Sequence, residues 1–158
     1  MFKTITLKPT KEKSILRRHP WVFSGAIKAI ENGISNGDIV EIKSNKERFL
    51  GYGHYNEGSI AIRIFELNQL TIDNAYWEGK IKKAISQRHQ NLDINGKNNI
   101  YRLVHAEGDE MPGCIIDRYD NVIVMQFHSV GMWKLKEIFS KTIAKQIPEI
   151  DVIYDKSE

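Results

Sequence analysis

The segment Leu16-Arg17-Arg18-His19-Pro20-Trp21-Val22-Phe23-Ser24-Gly25 holds the densest set of groups able to do chemistry. Arg17 and Arg18 carry planar guanidinium forks that match the oxygens of a phosphate. Trp21 and Phe23 can stack on exposed bases, which is how single-stranded or looped RNA is commonly gripped. His19 is either a third positive group or a hydrogen-bonded spacer. Alternation along a strand puts Trp21 and Phe23 on one face. A buried face is the stronger expectation for both aromatics, and phosphate contact is the stronger one for the two arginines.

Gly51-Tyr52-Gly53-His54-Tyr55-Asn56 is the second candidate. Glycine lets a ligand approach the backbone closely, although strand bulging or barrel closure is its commoner use. Tyr52 and Tyr55 read as stacking groups or as buried tyrosines with one bonded hydroxyl. Lys43, Lys46 and Arg48 border the preceding turn and extend a basic surface. The candidate RNA-contacting set is therefore Arg17, Arg18, His19, Trp21, Lys43, Gly51, Tyr52 and Tyr55.

Glu107-Gly108-Asp109-Glu110-Met111-Pro112-Gly113 is acidic, but its spacing does not match a calcium loop. It reads as a tight turn between strands. Asp117 and Arg118, just beyond it, are candidates for a structural ion pair. No Gly-x-Gly-x-x-Gly, phosphate loop or serine elbow is present. The histidines are scattered, and Cys114 lies in an apolar run. No catalytic, cofactor-binding or metal-ligating residue is assigned, and a small independent enzyme is the least supported reading.

The elements that must position these groups follow from periodicity. Residues 2–7 predict a short strand and 10–18 a helical turn, limited by Pro20. Ile39 to Ile42, Phe49 to Tyr52 and Ile60 to Phe65 predict further strands. Short strands with frequent turns predict a small barrel over residues 1–68, whose closure would hide strand edges. Trp77, Ile81, Ala84, Ile85 and Arg88 define an amphipathic helix over 73–90, capped by Thr71 or Asp73. Asn91 to Asn99, with Gly96, reads as a loop. Strands follow at 101–105, 114–118 and 122–127, with a tight turn at Asp120-Asn121. A second helix over 131–146 carries a Glu137–Lys141 pair and is stopped by Pro148. Asp151 to Tyr154 predicts a last strand.

The chain has 158 residues, 41% hydrophobic and 27% charged, within the range of one ordinary domain or two small ones. Net charge is only +3, but residues 1–30 hold seven Lys or Arg against one acid, Glu12. That basic edge can draw in a polyanion, or it is simply a solvated surface. No apolar run suits a membrane span or a signal peptide, and one cysteine gives no disulfide framework. A reducing cytoplasm is the expected compartment.

The run Arg17 to Ile27 resembles the opening signature of a bacterial family of S-adenosylmethionine-dependent ribosomal RNA cytosine-5 methyltransferases, the large-subunit methyltransferase I type. Gly37-Asp38-Ile39-Val40, Phe49 to Asn56 and Glu107 to Tyr119 continue the resemblance. Ile153-Tyr154-Asp155-Lys156-Ser157 is similar to the end of that family's middle domain, where Glu-Arg-Ser is more usual. The position of Glu110 is often glycine in the family, so a side chain there implies a backbone without marked strain.

The resemblance implies a small all-β PUA-like pseudo-barrel over residues 1–68, then a central α+β domain over 71–158. It implies a C-terminal Rossmann-like methyltransferase domain beyond Glu158, which would supply the S-adenosylmethionine pocket, the acid and the cysteine nucleophile. None of these maps onto this chain, and Cys114 is not that nucleophile. The chain ends four residues after Tyr154, which reads as a boundary inside a longer, truncated protein. The expected role is to bind and position ribosomal RNA, with no cofactor held by this chain. The alternative is a non-catalytic scaffold or oligomerisation module, such as a homodimer.

Overall fold

The computed structural model describes residues 2–92 and 99–157, so most of the loop expected at 91–99 lies outside the described residues. The chain divides into two compact units. One is Met1–Leu70 with Ser129–Gly131; the other is Thr71–His128 with Met132–Glu158.

The first unit is a curled six-stranded sheet in the order β2-β6-β5-β4-β1-β3. Its strands are β1 (Lys3–Leu7), β2 (Trp21–Phe23), β3 (Ile27–Ile30), β4 (Ile39–Lys43), β5 (Phe49–Tyr55) and β6 (Ile60–Glu66). A short helix, α1 (Lys13–Leu16), lies between β1 and β2. Register shifts at Thr6/Leu7, Val22/Phe23, Ile42/Lys43 and Tyr52/Gly53 sharpen the curl, because a bulge adds local twist. Strand β1 pairs parallel with β4 and antiparallel with β3. The expected closure is corrected in one respect: β2 and β3 remain as edges, so among the described residues this pseudo-barrel does not close by strand pairing.

Ile5, Leu7, Ile15, Val22, Val40, Ile42, Leu50, Ala61, Ile62 and Ile64 form its core. Each such isoleucine contributes about 1.5–3 kcal/mol by leaving water. Ile15 is the one core residue from α1, so this four-residue helix is pinned by packing rather than by its own ladder.

Gly53 shows why β5 carries glycines. A Cβ there would meet Ile62 Cγ2 at 2.4 Å and the Arg63 carbonyl at 2.7 Å. Strands β5 and β6 approach this closely only without that side chain.

The second unit has a four-stranded sheet in the order β10-β9-β8-β7. Strands β7 (Ile100–His105), β8 (Cys114–Tyr119) and β9 (Val122–Phe127) form an antiparallel meander. Strand β10 (Val152–Asp155) joins β9 in parallel. Helix α2 (Asn74–Asn91) starts at Asp73, whose side chain accepts from the Tyr76 amide at 2.9 Å. It buries Trp77, Ile81, Ala84 and Ile85, and Trp77 meets the Phe139 ring edge-on at 6.3 Å.

The single helix expected over 131–146 is instead two, α3 (Val130–Trp133) and α4 (Lys136–Gln146). A tight turn from the Leu135 amide to the Met132 carbonyl, 3.0 Å, breaks the ladder. Gly131 weakens the first turn further. No helix among the described residues is long and apolar enough to cross a membrane.

Two further expectations are corrected. Asp117 and Arg118 do not pair, because neighbours in a strand point to opposite faces. Arg102 takes Asp117 at 2.9 Å, while buried Arg118 donates to the Asp120 carbonyl at 2.8 Å. The acidic turn after β7 is strained rather than relaxed: Glu110 sits at φ 58°, ψ 29°. Lys80 and Lys83 hold its carboxylate at 2.6 and 3.2 Å, and Arg88 holds Asp109 at 2.5 Å. Asp109 and Glu110 are therefore both held by α2 cations.

Candidate nucleic-acid interface

Helix α1 ends in a Schellman motif that sets the arginines. The Arg18 amide donates to the Ile15 carbonyl at 2.7 Å, and the His19 amide to the Ser14 carbonyl at 3.0 Å. Arg18 takes the left-handed position usually given to glycine, with φ 62°. The two bonds satisfy carbonyls that a helix end otherwise leaves open. Arg17 and Arg18 are both exposed.

Strand β2 corrects the expected burial of the aromatics. Val22 is the core residue, while Phe23 is 50% exposed and Trp21 half-buried. Trp21 and Phe23 do share a face, and it is the outward one. The reason is that Val22 enters the core cluster, which turns both its neighbours away.

His19, Trp21 and Phe23 form one ring cluster. Centroids lie 6.0 Å apart for His19–Trp21, 6.2 Å for His19–Phe23 and 6.5 Å for Trp21–Phe23. The Trp21 amide donates to His19 Nδ1 at 3.1 Å, which fixes the imidazole against the strand. A shallow cavity of about 410 Å³ opens beside them, lined by Lys11, Ser14, His19, Trp21, Val22, Phe23, Gly25 and Ala26.

Not every N-terminal cation is free to meet a ligand. Lys8 donates to the Gly25 carbonyl at 3.0 Å, Lys28 to Asn45 at 2.7 Å, and Lys3 to the Gly33 carbonyl. Lys11, Lys13, Arg17 and Arg18 are exposed and have no ion-pair partner among the described residues. Strand pairing adds one more cation, since Arg63 on β6 stands directly opposite Trp21. Residues paired this way share a sheet face.

The other predicted residues do not join this face. Lys43 pairs with Glu41 at 3.5 Å. Gly51 and Tyr52 are buried inside β5, and Tyr52 packs edge-on against Phe2 and Phe49 at 5.5 and 5.0 Å. Burial, and then the charge of Glu41, push the Tyr52 hydroxyl pKa up. Tyr55 packs partly buried against the core. These four residues build the sheet.

Sequence reasoning missed Lys11 and Arg63, and placed Phe23 inside. Lys11 carried a faint signal as part of the basic stretch. Arg63 carried none, because its neighbour across the sheet is set by pairing over forty residues of chain.

Residues 5–67 match the family model of a PUA-like domain. The class is thereby defined: a PUA-like β-domain followed by an α+β domain. Over 160 residues the chain is 38% identical to ribosomal RNA large subunit methyltransferase I of Pseudoalteromonas atlantica, covering 100% of this chain and 40% of that protein. Over 156 residues it is 37% identical to the protein of the same name from Shewanella amazonensis, covering 98% of this chain and 39% of that protein.

The chain is similar to these methyltransferase I proteins along nearly its whole length and spans about 40% of theirs. A SAM-dependent methyltransferase assignment from Streptococcus mutans shares the fold, with a TM-score of 0.82 at 16% identity, covering 99% of this chain and 41% of the other. A methyltransferase solved in complex with SAH gives a TM-score of 0.83 at 16% identity, covering 100% of this chain and 40% of the other.

Proposed function

We propose that this chain is the RNA-binding and substrate-positioning part of a SAM-dependent ribosomal RNA cytosine-5 methyltransferase. In this reading residues 1–68 hold the RNA and 71–158 form the central domain. The longer remainder of such a protein supplies SAM and the reacting groups. The observation that carries the proposal is the union of exposed, unpaired Arg17 and Arg18 with the outward ring cluster of His19, Trp21 and Phe23. Phosphates meet the guanidinium groups and set the register, while unstacked bases lie on the rings. Lys11 and Arg63 extend the positive field beside the rings.

The Trp21 cavity does not fit SAM. The Trp21 cavity is lined by a lysine and no carboxylate, a poor match for a sulfonium and for ribose hydroxyls. No step of methyl transfer is therefore derived from these residues.

The test is a titration of the chain against a ribosomal RNA hairpin at rising salt. Binding weakens with salt, and an Arg17→Ala, Arg18→Ala double variant lowers the slope of log K against log salt by about 1.5. Equal binding by the double variant at every salt concentration would overturn the proposal. Light scattering on the same samples separates it from a homodimeric scaffold, which self-associates and leaves RNA unbound.

A further inference from the structure

Helices α2 and α4 cover one face of the second unit's sheet. Phe139 on α4 meets both Trp77 of α2 and Phe127 of β9 at 6.3 Å. Ile116, Ile123, Met125 and Phe127 are buried on this side. Alternation sends the residues between them to the other face, where a solvated sheet normally carries polar side chains. Here that second face is largely apolar.

Strand pairing sets its side chains in rows. Ile100, Tyr119, Val122 and Val152 stand side by side across all four strands. The next row is Arg102, Asp117, Val124 and Tyr154. Ile100, Tyr119, Val152 and Tyr154 are 62, 49, 50 and 57% exposed. Single exposed apolar side chains are ordinary, whereas a contiguous group of them marks a surface that meets another.

Charge and size select the occupant. Arg102 and Asp117 bond each other at 2.9 Å, so the two rows carry no net charge. A neutral apolar surface suits protein better than a polyanion, whose binding needs cations free to meet phosphate. Four strands about 4.8 Å apart and five residues at about 3.3 Å each make a face on the order of 300 Å². Two copies laid face to face would cover on the order of 600 Å² in total, well short of the roughly 1,200 Å² of a stable complex. A tethered domain escapes that requirement, because its tether holds it at an effective concentration on the order of millimolar. The proteins that match this chain have room for such a domain: the chain covers 40% of the Pseudoalteromonas atlantica protein and 40% of the methyltransferase solved with SAH.

We infer that this open sheet face is the surface on which the remainder of the longer protein docks, the part that supplies SAM in the reading above. The inference rests on that reading and deepens it by giving residues 71–158 a task. They brace the SAM-binding remainder through an apolar face, while residues 1–68 hold the RNA. Tyr119 on β8 and Tyr154 on β10 are the large side chains of the face and report on both sides of it.

The test is hydroxyl-radical oxidation, read residue by residue by mass spectrometry, of the 158-residue chain and of the full-length protein encoded by its gene. Oxidation of Tyr119 and Tyr154 falls about tenfold in the full-length protein, the factor for a docked form favoured by about 1.4 kcal/mol. Val152→Lys with Tyr154→Lys leaves the thermal midpoint of the 158-residue chain unchanged, and in the full-length protein it restores the oxidation of Tyr119. Equal oxidation of both tyrosines in the two proteins overturns the inference. So does protection within the 158-residue chain alone: on raising its concentration, which assigns the face to a second copy, or on adding the ribosomal RNA hairpin, which assigns it to RNA. None of these outcomes touches RNA binding at Arg17 and Arg18, which the salt titration decides. A full-length protein that takes up no SAM overturns the wider reading, whether or not the tyrosines are protected.

Discussion

The Arg18 amide bonds the Ile15 carbonyl at 2.7 Å, and this contact holds Arg18 in left-handed backbone at φ 62°. A residue with a Cβ gives up about 1 kcal/mol there relative to glycine. An arginine thus stands where the backbone favours glycine. Arg18→Gly is therefore expected to raise stability by about 1 kcal/mol. In the same variant the salt slope of RNA binding falls by about 0.7–0.9, one phosphate contact. Urea denaturation and RNA titration check the opposed signs. A variant that is both less stable and equally good at binding would show that Arg18 serves the fold alone.

Phe23 and Val22 are neighbours with opposite duties. Phe23 is 50% exposed and Val22 only 2%. Phe23→Ala should cost less than about 1 kcal/mol of stability, as a half-exposed ring has little burial to lose. Its RNA affinity should drop by about 1–3 kcal/mol, the loss of one stacking platform. Val22→Ala should cost about 2 kcal/mol of stability through lost burial and a small cavity. The RNA affinity of its folded fraction should be unchanged. If Phe23→Ala unfolded the protein, the outward placement of the rings would be wrong.

These two residues also show how far periodicity reaches. Alternation in Trp21-Val22-Phe23 reveals which side chains share a face, but not which way the face looks. That depends on β2 being an edge strand whose middle residue meets Ile15 and Ile62 in one core. Longer elements with strong patterns were legible, such as α2 with its Asp73 cap and the alternating β6. The break at Leu135 was not, because one tight turn decides it. Gly53 could not be assigned from its own neighbours, since the atom that excludes a side chain is Ile62 Cγ2 on another strand. The same holds for Tyr119 and Tyr154, which come to one face only after β8, β9 and β10 have paired. Chemistry assembled across strands is invisible to spacing along one.

Glu110 offers a test in which the stability difference between variant and parent depends on pH. A hydrogen bond from Lys80 holds its carboxyl below the usual carboxylate range, with Lys83 adding to this against the effect of burial. A carboxyl lowered in the fold stabilises it above the unfolded value, and the contribution is lost as pH falls through the folded value. The side chain is 54% exposed, so solvent screens these pairs to under about 1 kcal/mol. The left-handed backbone at φ 58° works against the fold by about the same amount. Glu110→Gly should therefore lie within about 1 kcal/mol of the parent at pH 7. Below the folded pKa, only the backbone effect survives, and the glycine variant becomes the more stable one. Glu110→Ala keeps the strain and loses the pairs, so it should be the weakest of the three at pH 7. Urea midpoints on both sides of the transition provide the measurement. A glycine variant weaker than the parent at acid pH would count against the strain argument.

Cys114 is fully buried at the start of β8, and burial pushes its thiol far above the ordinary range, with the charge of Asp109 adding to the shift. Thiolate is the reactive form, so the folded chain should leave this sulfur inert to a disulfide reagent at pH 8. The same reagent should modify it promptly in denaturant. An apolar replacement should be tolerated better than a polar one: Cys114→Ala costs only a small cavity. Cys114→Ser costs about 1–3 kcal/mol more if its hydroxyl finds no partner. Fast labelling of the native protein would mean that the thiolate forms within the fold, and Cys114 would then have to be reconsidered as a chemical group rather than a packing one.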